Sequence, residues 1–217
     1  RGARVGLHYC QSRAGVEELA REIPSDRCAI FQADFSDSHQ VHGLWSEFYD
    51  WAGDVSVLVN NAGDASTAMP MSEFSEEAWD RTFQINLKAP VILSQLAMKV
   101  MKQASWGRII NISSIGVKYG GGQTSAHYSA SKSALEAMTL SFAKEGAPNN
   151  VLVNAIRAGV TDTPIHQKMG KDLSSRAKLI PLERVAAPSE IASMVIFLAS
   201  EESSFVTGGI LPVAGGE

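Results

Sequence analysis

The sequence predicts a doubly wound, Rossmann-like α/β fold: a mostly parallel sheet in a three-layer α/β/α arrangement. Short β-rich runs alternate with longer helical stretches along the whole chain. Several runs, such as Val55–Asn60, are apolar on consecutive positions, which is typical of parallel strands covered on both faces. Strands that alternate with helices imply right-handed crossovers and therefore parallel neighbours.

The elements follow one another without a repeat or a low-complexity interruption, so we predict one domain over residues 1–217. The predicted strands are Ala3–Tyr9, Arg27–Ala33, Val55–Asn60, Arg108–Ile112, Val151–Ile156 and Ile210–Val213. The predicted helices are Gly15–Ile23, Ser38–Trp51, Glu76–Gln103, Tyr128–Gly146 and Ser189–Ala199. Ser75, followed by two glutamates, provides a hydroxyl cap and negative charge where the third helix begins.

Residues 157–181 form the least regular stretch. Loops of this length inside a compact domain usually bind a ligand or close over one, although a plain surface loop is the alternative. We expect this stretch and residues 115–127 to line the substrate pocket.

Composition excludes several classes of protein. Hydrophobic residues make up 45% of the 217 residues and charged residues 19%, which excludes a disordered chain. A net charge of −4 gives no basic surface for nucleic acid, and no apolar run is long enough to span a membrane. Cys10 and Cys28 have neither disulfide-framework nor metal-ligand spacing. We therefore expect a cytoplasmic protein with no metal, nucleic-acid or membrane partner.

The most informative residues for chemistry are Tyr128 and Lys132. Residues four apart lie on one face of a helix, one turn from each other. A phenol ordinarily titrates near pH 10, and a neighbouring ammonium favours the phenolate and moves its pKa toward neutrality. The pair is thus suited to acid–base catalysis, although the same spacing on an exposed helix often has no function.

Three further features lie where predicted strands end or within the third helix. Ser114 follows the strand Arg108–Ile112, at the edge of a parallel sheet where ligands bind; Ser113 is the competing residue, and both could simply form a turn. The run Asn60-Asn61-Ala62-Gly63 either forms a turn or lets a flat ligand approach the backbone closely. Asn86 lies in an apolar stretch of the third helix, so its amide is expected to have partners.

Taken together, these segments resemble the classical short-chain dehydrogenase/reductase family. The pattern is nearest to its 3-oxoacyl reductase-like members and to its sugar- or polyol-dehydrogenase-like members, and the fold does not choose between them. The resemblance extends from Gly2 to Gly216 and includes the tail Val206-Thr207-Gly208-Gly209. It implies that Tyr128 is the general acid in carbonyl reduction and that Lys132 lowers its proton affinity and holds the nicotinamide ribose. It also implies that Ser114 polarises the substrate carbonyl and that Asn86 holds a water of a proton relay.

The resemblance also implies a nicotinamide cofactor. The implied cofactor-binding residues are Asp34, Phe35, Asn61, Ala62, Gly63, Tyr128, Lys132, Val160 and Thr163. Ala158 replaces the proline that usually rigidifies the loop containing Val160. The first strand ends without the acid that binds the ribose 2′-hydroxyl of NAD, while Ser12 and Arg13 could receive a 2′-phosphate, so we expect NADP(H) to be preferred over NAD(H).

The family's first strand and its glycine-rich pyrophosphate turn are not found in this sequence, so we expect the natural protein to be longer and this sequence to begin within it. The alternative is a polypeptide of this length that rearranges its sheet or associates with a partner. The expected function is hydride transfer between NADP(H) and a small carbonyl or secondary-alcohol substrate. The alternative is a catalytically silent scaffold or binding subunit derived from the family. The apolar surplus of the helices Glu76–Gln103 and Tyr128–Gly146 predicts a homo-oligomer, a dimer or a tetramer.

Overall fold

The structure, a computed structural model, describes residues 2–65, 68–73, 75–163 and 172–217. The chain divides at Val55 into two compact units. Every strand pair in both units is parallel, with helices packed on the sheets.

The first unit is a small strand–helix–strand–helix structure. Its elements are β1 (Val5–Tyr9), α1 (Arg13–Arg21), a 3-10 turn (Ser25–Arg27), β2 (Cys28–Gln32) and α2 (Ser38–Ala52). The Asp37 side chain accepts a hydrogen bond from the His39 N–H at 2.8 Å and caps α2, and Gly53 ends that helix at a φ of +76°. The aromatic side chains of Phe31, Phe48 and Trp51 pack on one another inside the unit.

The second unit contains a four-stranded parallel sheet. Its strands are β3 (Val57–Asn60), β4 (Gly107–Ser114), β5 (Val151–Ala158) and β6 (Ile210–Val213), in the order β3-β4-β5-β6. Its helices are α3 (Glu76–Phe83), α4 (Ala89–Ala104), α5 (Ala126–Gly146), α6 (Leu173–Ala177) and α7 (Pro188–Leu198). Shorter 3-10 turns cover Met71–Glu73, Ile115–Tyr119, Ala147–Asn149 and Glu201–Ser203.

The register of this sheet brings several functional candidates to one edge. Ser114 is opposite Ala158 on the neighbouring strand, and Ala158 in turn is opposite Val213. The strands β4, β5 and β6 therefore end together, and α5 packs against β4 and β5. Ile109, Val153 and Ile156 are fully buried, as expected for central parallel strands.

The predicted fold class is confirmed: parallel sheets with flanking helices, in the predicted order along the chain. The helix predicted over Glu76–Gln103 differs, because a π turn at Gln84–Lys88 separates α3 from α4. Pro90 lacks the N–H that would pair with the carbonyl of Asn86 four residues earlier, and its ring crowds that carbonyl, which accounts for the widened turn.

The predicted irregular stretch 157–181 contains one element that the sequence did not reveal. The short helix α6 begins after Asp172, whose side chain accepts a hydrogen bond from the Ser174 N–H. Residues 164–171 of the stretch lie outside the described residues.

Candidate active site

Helix α5 carries Tyr128 and Lys132 to the end of β4. The Lys132 Nζ lies 5.9 Å from the centroid of the Tyr128 ring and donates a 2.8 Å hydrogen bond to the carbonyl of Ile112. Only 3% of Lys132 is exposed. The predicted one-turn spacing thus places an ammonium group beside the phenol, with its position fixed by the strand.

Ser114 is the hydroxyl that meets the phenol. The Ser114 hydroxyl is near enough to the Tyr128 phenol to favour the phenolate as a hydrogen-bonding partner. The Ser114 Oγ also accepts a 3.1 Å hydrogen bond from the Gly116 N–H, which fixes the serine at the start of the 3-10 turn. The two hydroxyls are therefore neighbours, and a backbone contact orients that of Ser114.

The pKa shifts at this site are dominated by burial. Burial raises the pKa of the Tyr128 phenol above its ordinary value, and the hydrogen bond with Ser114 acts in the opposite direction. Burial also lowers the pKa of Lys132 to about 8. The lowered phenol pKa expected from the sequence is not found in this structure, because removal of the phenolate from water costs more than its neighbours return.

Ser113, the competing serine, faces elsewhere. Its Oγ donates a 2.6 Å hydrogen bond to Glu136 Oε1, and the residue is buried. Glu136 in turn receives two hydrogen bonds from the Arg157 guanidinium, at 2.8 and 2.7 Å. The structure therefore places Ser114 beside Tyr128 and commits Ser113 to a buried ion pair.

Asn86 lies on the π turn and is fully buried. Its Oδ1 accepts a 2.7 Å hydrogen bond from the Asp64 N–H, and its Nδ2 donates to the Asp64 carbonyl at 2.8 Å and to the Ser131 Oγ at 3.1 Å. The Ser131 Oγ donates to the carbonyl of Tyr128 at 2.7 Å. The Asn86 amide thus ties the segment after β3 to the first turns of α5.

The segment after β3 passes close to this cluster at Gly63. A Cβ on Gly63 would lie 3.3 Å from Asn86 Oδ1 and 3.4 Å from Lys132 Nζ. Asn61 forms a tight turn through a 3.2 Å hydrogen bond from its N–H to the Val59 carbonyl, and Ala62 links it to Gly63. The structure therefore brings the end of the Asn60–Gly63 run to Asn86 and Lys132.

Asn60 itself has a different environment. Its Nδ2 donates to Ser94 Oγ at 3.0 Å and to Asn111 Oδ1 at 2.8 Å, and Asn111 Nδ2 donates to Thr139 Oγ1 at 2.8 Å. These buried polar groups link β3, β4, α4 and α5 below the candidate site.

The predicted cofactor loop follows β5. Its backbone is paired with the segment before α7: the Ala186 N–H donates to the carbonyl of Val160, and the Asp162 N–H donates to the carbonyl of Ala186, both at 2.9 Å. Thr163 Oγ1 donates to the carbonyl of Thr161 at 3.3 Å. Val160 is also buried. Backbone pairing and burial therefore hold the loop in place, although Ala158 stands where the family usually has proline.

Asp34 and Phe35 follow β2 in the first unit. Phe35 stacks on His8 with ring centroids 4.1 Å apart, and Asp34 Oδ1 accepts a 2.9 Å hydrogen bond from the Ser36 N–H. Burial lowers the pKa of His8. Arg13 is exposed at the start of α1, where its Nε donates to Glu17 Oε1 at 2.8 Å.

A cavity of about 400 Å³ opens at the ends of β5 and β6. Its described lining includes Val160, Met194 and Glu217, but neither Tyr128 nor Ser114. It therefore adjoins the predicted cofactor loop and is separate from the Tyr128–Ser114 pair.

Membrane-spanning and metal-binding features are not found in the part of the chain that the structure describes. None of the described helices combines the length and apolar character that a bilayer span requires. Within the same residues, no group of three or more His, Cys, Asp or Glu side chains is arranged to hold a metal ion.

Sequence reasoning missed the partners that fix the site: the Ile112 carbonyl, Asp64, Ser131 and the Glu136–Arg157 pair. Only Glu136 carried a usable signal, because it follows Lys132 by four residues and so shares the face of α5 with Tyr128. The other contacts depend on how separate elements meet.

Comparisons with known proteins agree on one family. A family model described as enoyl-(acyl carrier protein) reductase matches residues 1–217. The 3-oxoacyl-[acyl-carrier-protein] reductase of Thermotoga maritima is 37% identical, over 94% of this chain and 84% of that protein. The acetoacetyl-CoA reductase of an Acinetobacter species is 42% identical, over 76% of this chain and 66% of that protein.

A solved structure described as a short chain dehydrogenase/reductase family protein is similar over 99% of this chain and 86% of its own, with a TM-score of 0.86 and 34% identity. The fold, the whole-length family match and these relatives lead to one conclusion. The chain belongs to the classical short-chain dehydrogenase/reductase family of oxidoreductases, and to its 3-oxoacyl reductase-like members.

Proposed function

We propose that the protein is an NADP(H)-dependent reductase that interconverts a carbonyl and a secondary alcohol through Tyr128, Lys132, Ser114 and Asn86. The observation that carries this proposal is the Lys132 ammonium 5.9 Å from the centre of the Tyr128 ring, with the Ser114 hydroxyl beside the phenol. These three groups provide a proton donor, a second hydroxyl for the same substrate oxygen and a fixed positive charge.

In the reducing direction, the substrate carbonyl oxygen accepts hydrogen bonds from Tyr128 and Ser114. When bound, the nicotinamide supplies the hydride that reduces the carbonyl carbon. As negative charge develops on the oxygen, Ser114 stabilises it and Tyr128 transfers its proton to it, which gives the alcohol. In the oxidising direction, Tyr128 takes the proton back.

The raised pKa of Tyr128 keeps the phenol protonated before reduction, as a general acid requires. After proton transfer the phenolate is stabilised by the Lys132 ammonium, whose own pKa is lowered to about 8 by burial. Reprotonation of the Tyr128 phenolate needs a path for protons from solvent to Lys132. The carbonyl of Asn86, which Pro90 deprives of its usual helical donor, is our candidate for the atom that holds a relay water.

The described residues fit a nicotinamide cofactor. The lack of a Cβ at Gly63 lets its backbone lie close to Asn86 and Lys132, and such close backbone approach suits a flat ligand. We propose that Lys132 binds the nicotinamide ribose and that Asn61, Ala62 and Gly63 bind the adenosine portion. Val160 and Thr163 are proposed to bind the carboxamide and a phosphate. Asp34 and Phe35 of the first unit are proposed to contact the adenine.

The preference for NADP(H) is proposed from Arg13 and from the absence of an acid between Tyr9 and Arg13. Arg13 lies at the start of α1 with an exposed side chain, where a 2′-phosphate would meet both its charge and the positive end of the helix dipole. Titration of intrinsic fluorescence with NADPH and with NADH tests this. We expect Arg13→Ala to weaken NADPH binding at least ~10-fold and NADH binding little, and tighter NADH binding by the parent protein would contradict the preference.

The substrate class is proposed from the relatives. Two of them are named for the reduction of 3-oxoacyl or acetoacetyl thioesters, so acetoacetyl-CoA is the first substrate to test.

Assembly as a homo-oligomer through α4 and α5 is also proposed, and light scattering coupled to size-exclusion chromatography measures it. A monomer would contradict it.

The decisive experiment follows NADPH oxidation by absorbance with acetoacetyl-CoA for the parent protein and for Tyr128→Phe. The variant removes the phenol hydroxyl and with it the transferable proton, so we expect kcat to fall at least ~1,000-fold while NADPH still binds. Ser133→Ala, which removes a hydroxyl elsewhere on α5, is the matched control and is expected to keep kcat within about twofold. Full turnover by Tyr128→Phe would disprove the mechanism, and a parent protein that binds neither cofactor would instead support the silent scaffold.

A further inference from the structure

The ion pair between Glu136 and Arg157 lies directly beneath the proposed reaction site and takes no part in the mechanism described so far. The Arg157 Nε donates to Glu136 Oε1 at 2.8 Å, and its Nη2 donates to Oε2 at 2.7 Å. The Ser113 Oγ donates a third hydrogen bond to Oε1 at 2.6 Å. Only 9% of the Glu136 side chain and 30% of the Arg157 side chain are exposed.

These three residues come from three elements that converge on the site. Ser113 is on β4, Arg157 is its direct neighbour on β5, and Glu136 is on α5 one turn beyond Lys132. The carboxylate thus joins the helix to the last residues of two adjacent strands. Because the two-nitrogen geometry fixes both distance and angle, it restrains the helix more tightly than a single contact would.

Three consecutive residues of β4 contact side chains on three turns of α5. The Ile112 carbonyl holds Lys132, the Ser113 hydroxyl holds Glu136, and the Ser114 hydroxyl meets Tyr128. A displacement of α5 along β4 would change all three contacts together. The Tyr128–Ser114 contact is the one on which proton transfer depends, and hydrogen-bond energy falls steeply with distance and angle.

Arg157 also stands at the base of the predicted cofactor loop. The next residue is Ala158, where the resembling family usually has a proline that fixes the backbone. An arginine anchored to α5 restrains the same position by a side-chain contact.

We propose that Glu136 and Arg157, held by Ser113, are positioning residues that set the location of α5 at the ends of β4 and β5 and so keep the Tyr128 phenol against Ser114. The inference rests on the proposed function for its kinetic consequence, but the geometry it describes can be measured without turnover. It assigns no contact with substrate to either residue.

The structural test uses NMR of the full chain labelled with carbon-13 at the tyrosine Cζ, a carbon whose chemical shift reports hydrogen bonding of the phenol. The Tyr128 signal is assigned by its loss in Tyr128→Phe. We expect Ser114→Ala to move this signal in the parent background. In Glu136→Gln alone, we expect the Tyr128 signal to lie near the position that it takes in Ser114→Ala. Adding Ser114→Ala to Glu136→Gln is then expected to shift the signal by less than half of the shift that Ser114→Ala causes in the parent protein.

Comparison within each background removes the direct effect of the lost carboxylate charge, because that charge is the same in both members of a pair. Glu145→Gln is the matched control, since Glu145 is also on α5 and forms an ion pair with Lys102 of α4 at 2.9 Å. We expect this control to leave the Tyr128 signal unchanged. An unchanged Tyr128 signal in folded Glu136→Gln would overturn the proposal, as would an undiminished response to Ser114→Ala.

The kinetic test uses acetoacetyl-CoA and NADPH at a temperature well below unfolding. We expect Glu136→Gln to lower kcat about tenfold with little change in either KM, whereas a purely structural role would lower the unfolding temperature and leave kcat unchanged. Arg157→Lys keeps the positive charge but loses the two-nitrogen geometry. We expect this variant to retain only part of the parent kcat. Kinetic inactivity of the parent would count against the proposed function, and the NMR result would still decide the positioning role.

Discussion

The two ends of β4 both hold a buried network around a charged group, and they use it differently. At the beginning of the strand, Arg108 is 1% exposed and donates to the carbonyls of Gly107 and Asn150 at 2.9 and 3.2 Å. Its guanidinium stacks on Trp106 and lies 3.5 Å from Glu201. These partners are backbone groups, an indole and an exposed carboxylate, so the network only closes the end of the sheet.

At the other end of β4, the network is built from side chains of α5. Lys132, Glu136 and Tyr128 each have a partner within the last three residues of the strand. Hydroxyl and ammonium groups there can exchange protons and change partners, whereas a guanidinium remains charged throughout. The comparison teaches that burial of a charge is common to both ends, and that the type of group decides whether chemistry is available.

The largest expected contrast is between the two adjacent serines. Ser114→Ala removes the hydroxyl that meets the phenol, so we expect kcat to fall about 100-fold with acetoacetyl-CoA while the unfolding temperature changes little. Ser113→Ala leaves Glu136 with Arg157 alone; we expect a loss of about 1–2 kcal/mol in the free energy of unfolding and a fall in kcat of less than about tenfold. Steady-state kinetics and urea unfolding of both variants check the contrast, and the reverse pattern would mean that the serine roles are exchanged.

Arg108 provides the converse test. Arg108→Met keeps much of the packing volume but loses the stacking on Trp106 and the donors to two backbone carbonyls, so we expect the free energy of unfolding to fall by roughly 1–3 kcal/mol. The variant lies about 20 Å from Ser114 along the strand, and kcat is expected to stay within about twofold. A large fall in kcat with unchanged stability would contradict the division between the two ends of β4.

The pH dependence of stability sharpens the description of the catalytic end. The pKa of Lys132 is about 8 in the folded protein and near 10.5 when unfolded, so the unfolded chain binds more protons between these values and stability rises with pH across that window. We expect Lys132 to add up to roughly 3 kcal/mol to this rise. Urea unfolding of the parent and of Lys132→Met at about pH 7.5 and about pH 9.5 measures it, and an identical pH response of both proteins would refute the lowered pKa.

The smallest expected effect concerns Gly63. An added Cβ would lie 3.3 Å from Asn86 Oδ1 and 3.4 Å from Lys132 Nζ, so a displacement of a few tenths of an ångström accommodates it. We expect Gly63→Ala to lower the unfolding temperature by only a few degrees, and to weaken NADPH binding several-fold because the methyl group narrows the approach to Lys132. Fluorescence titration and thermal unfolding check this, with Gly43→Ala, where a Cβ meets nothing within 4 Å, as the control.

The fold class, the order of strands and helices, and the spacing between Tyr128 and Lys132 were all predictable from the amino-acid sequence. These features arise from local rules: the period of apolar residues, capping residues and the repeat of the helix. The π turn was also encoded locally by Pro90, four residues after Asn86, but the helical pattern on both sides of it predicted one uninterrupted helix.

Three features became visible only in the folded chain: which serine lies beside the phenol, what Asn86 binds, and that Glu136 and Arg157 form a pair. The tertiary structure also decided the direction of the Tyr128 pKa shift. Each of these depends on distances between separate elements and on the loss of water around them, and neither quantity is determined by spacing along the chain. The sequence predicted which residue types take part in the site. Their partners depend on how α5 packs on β4 and β5.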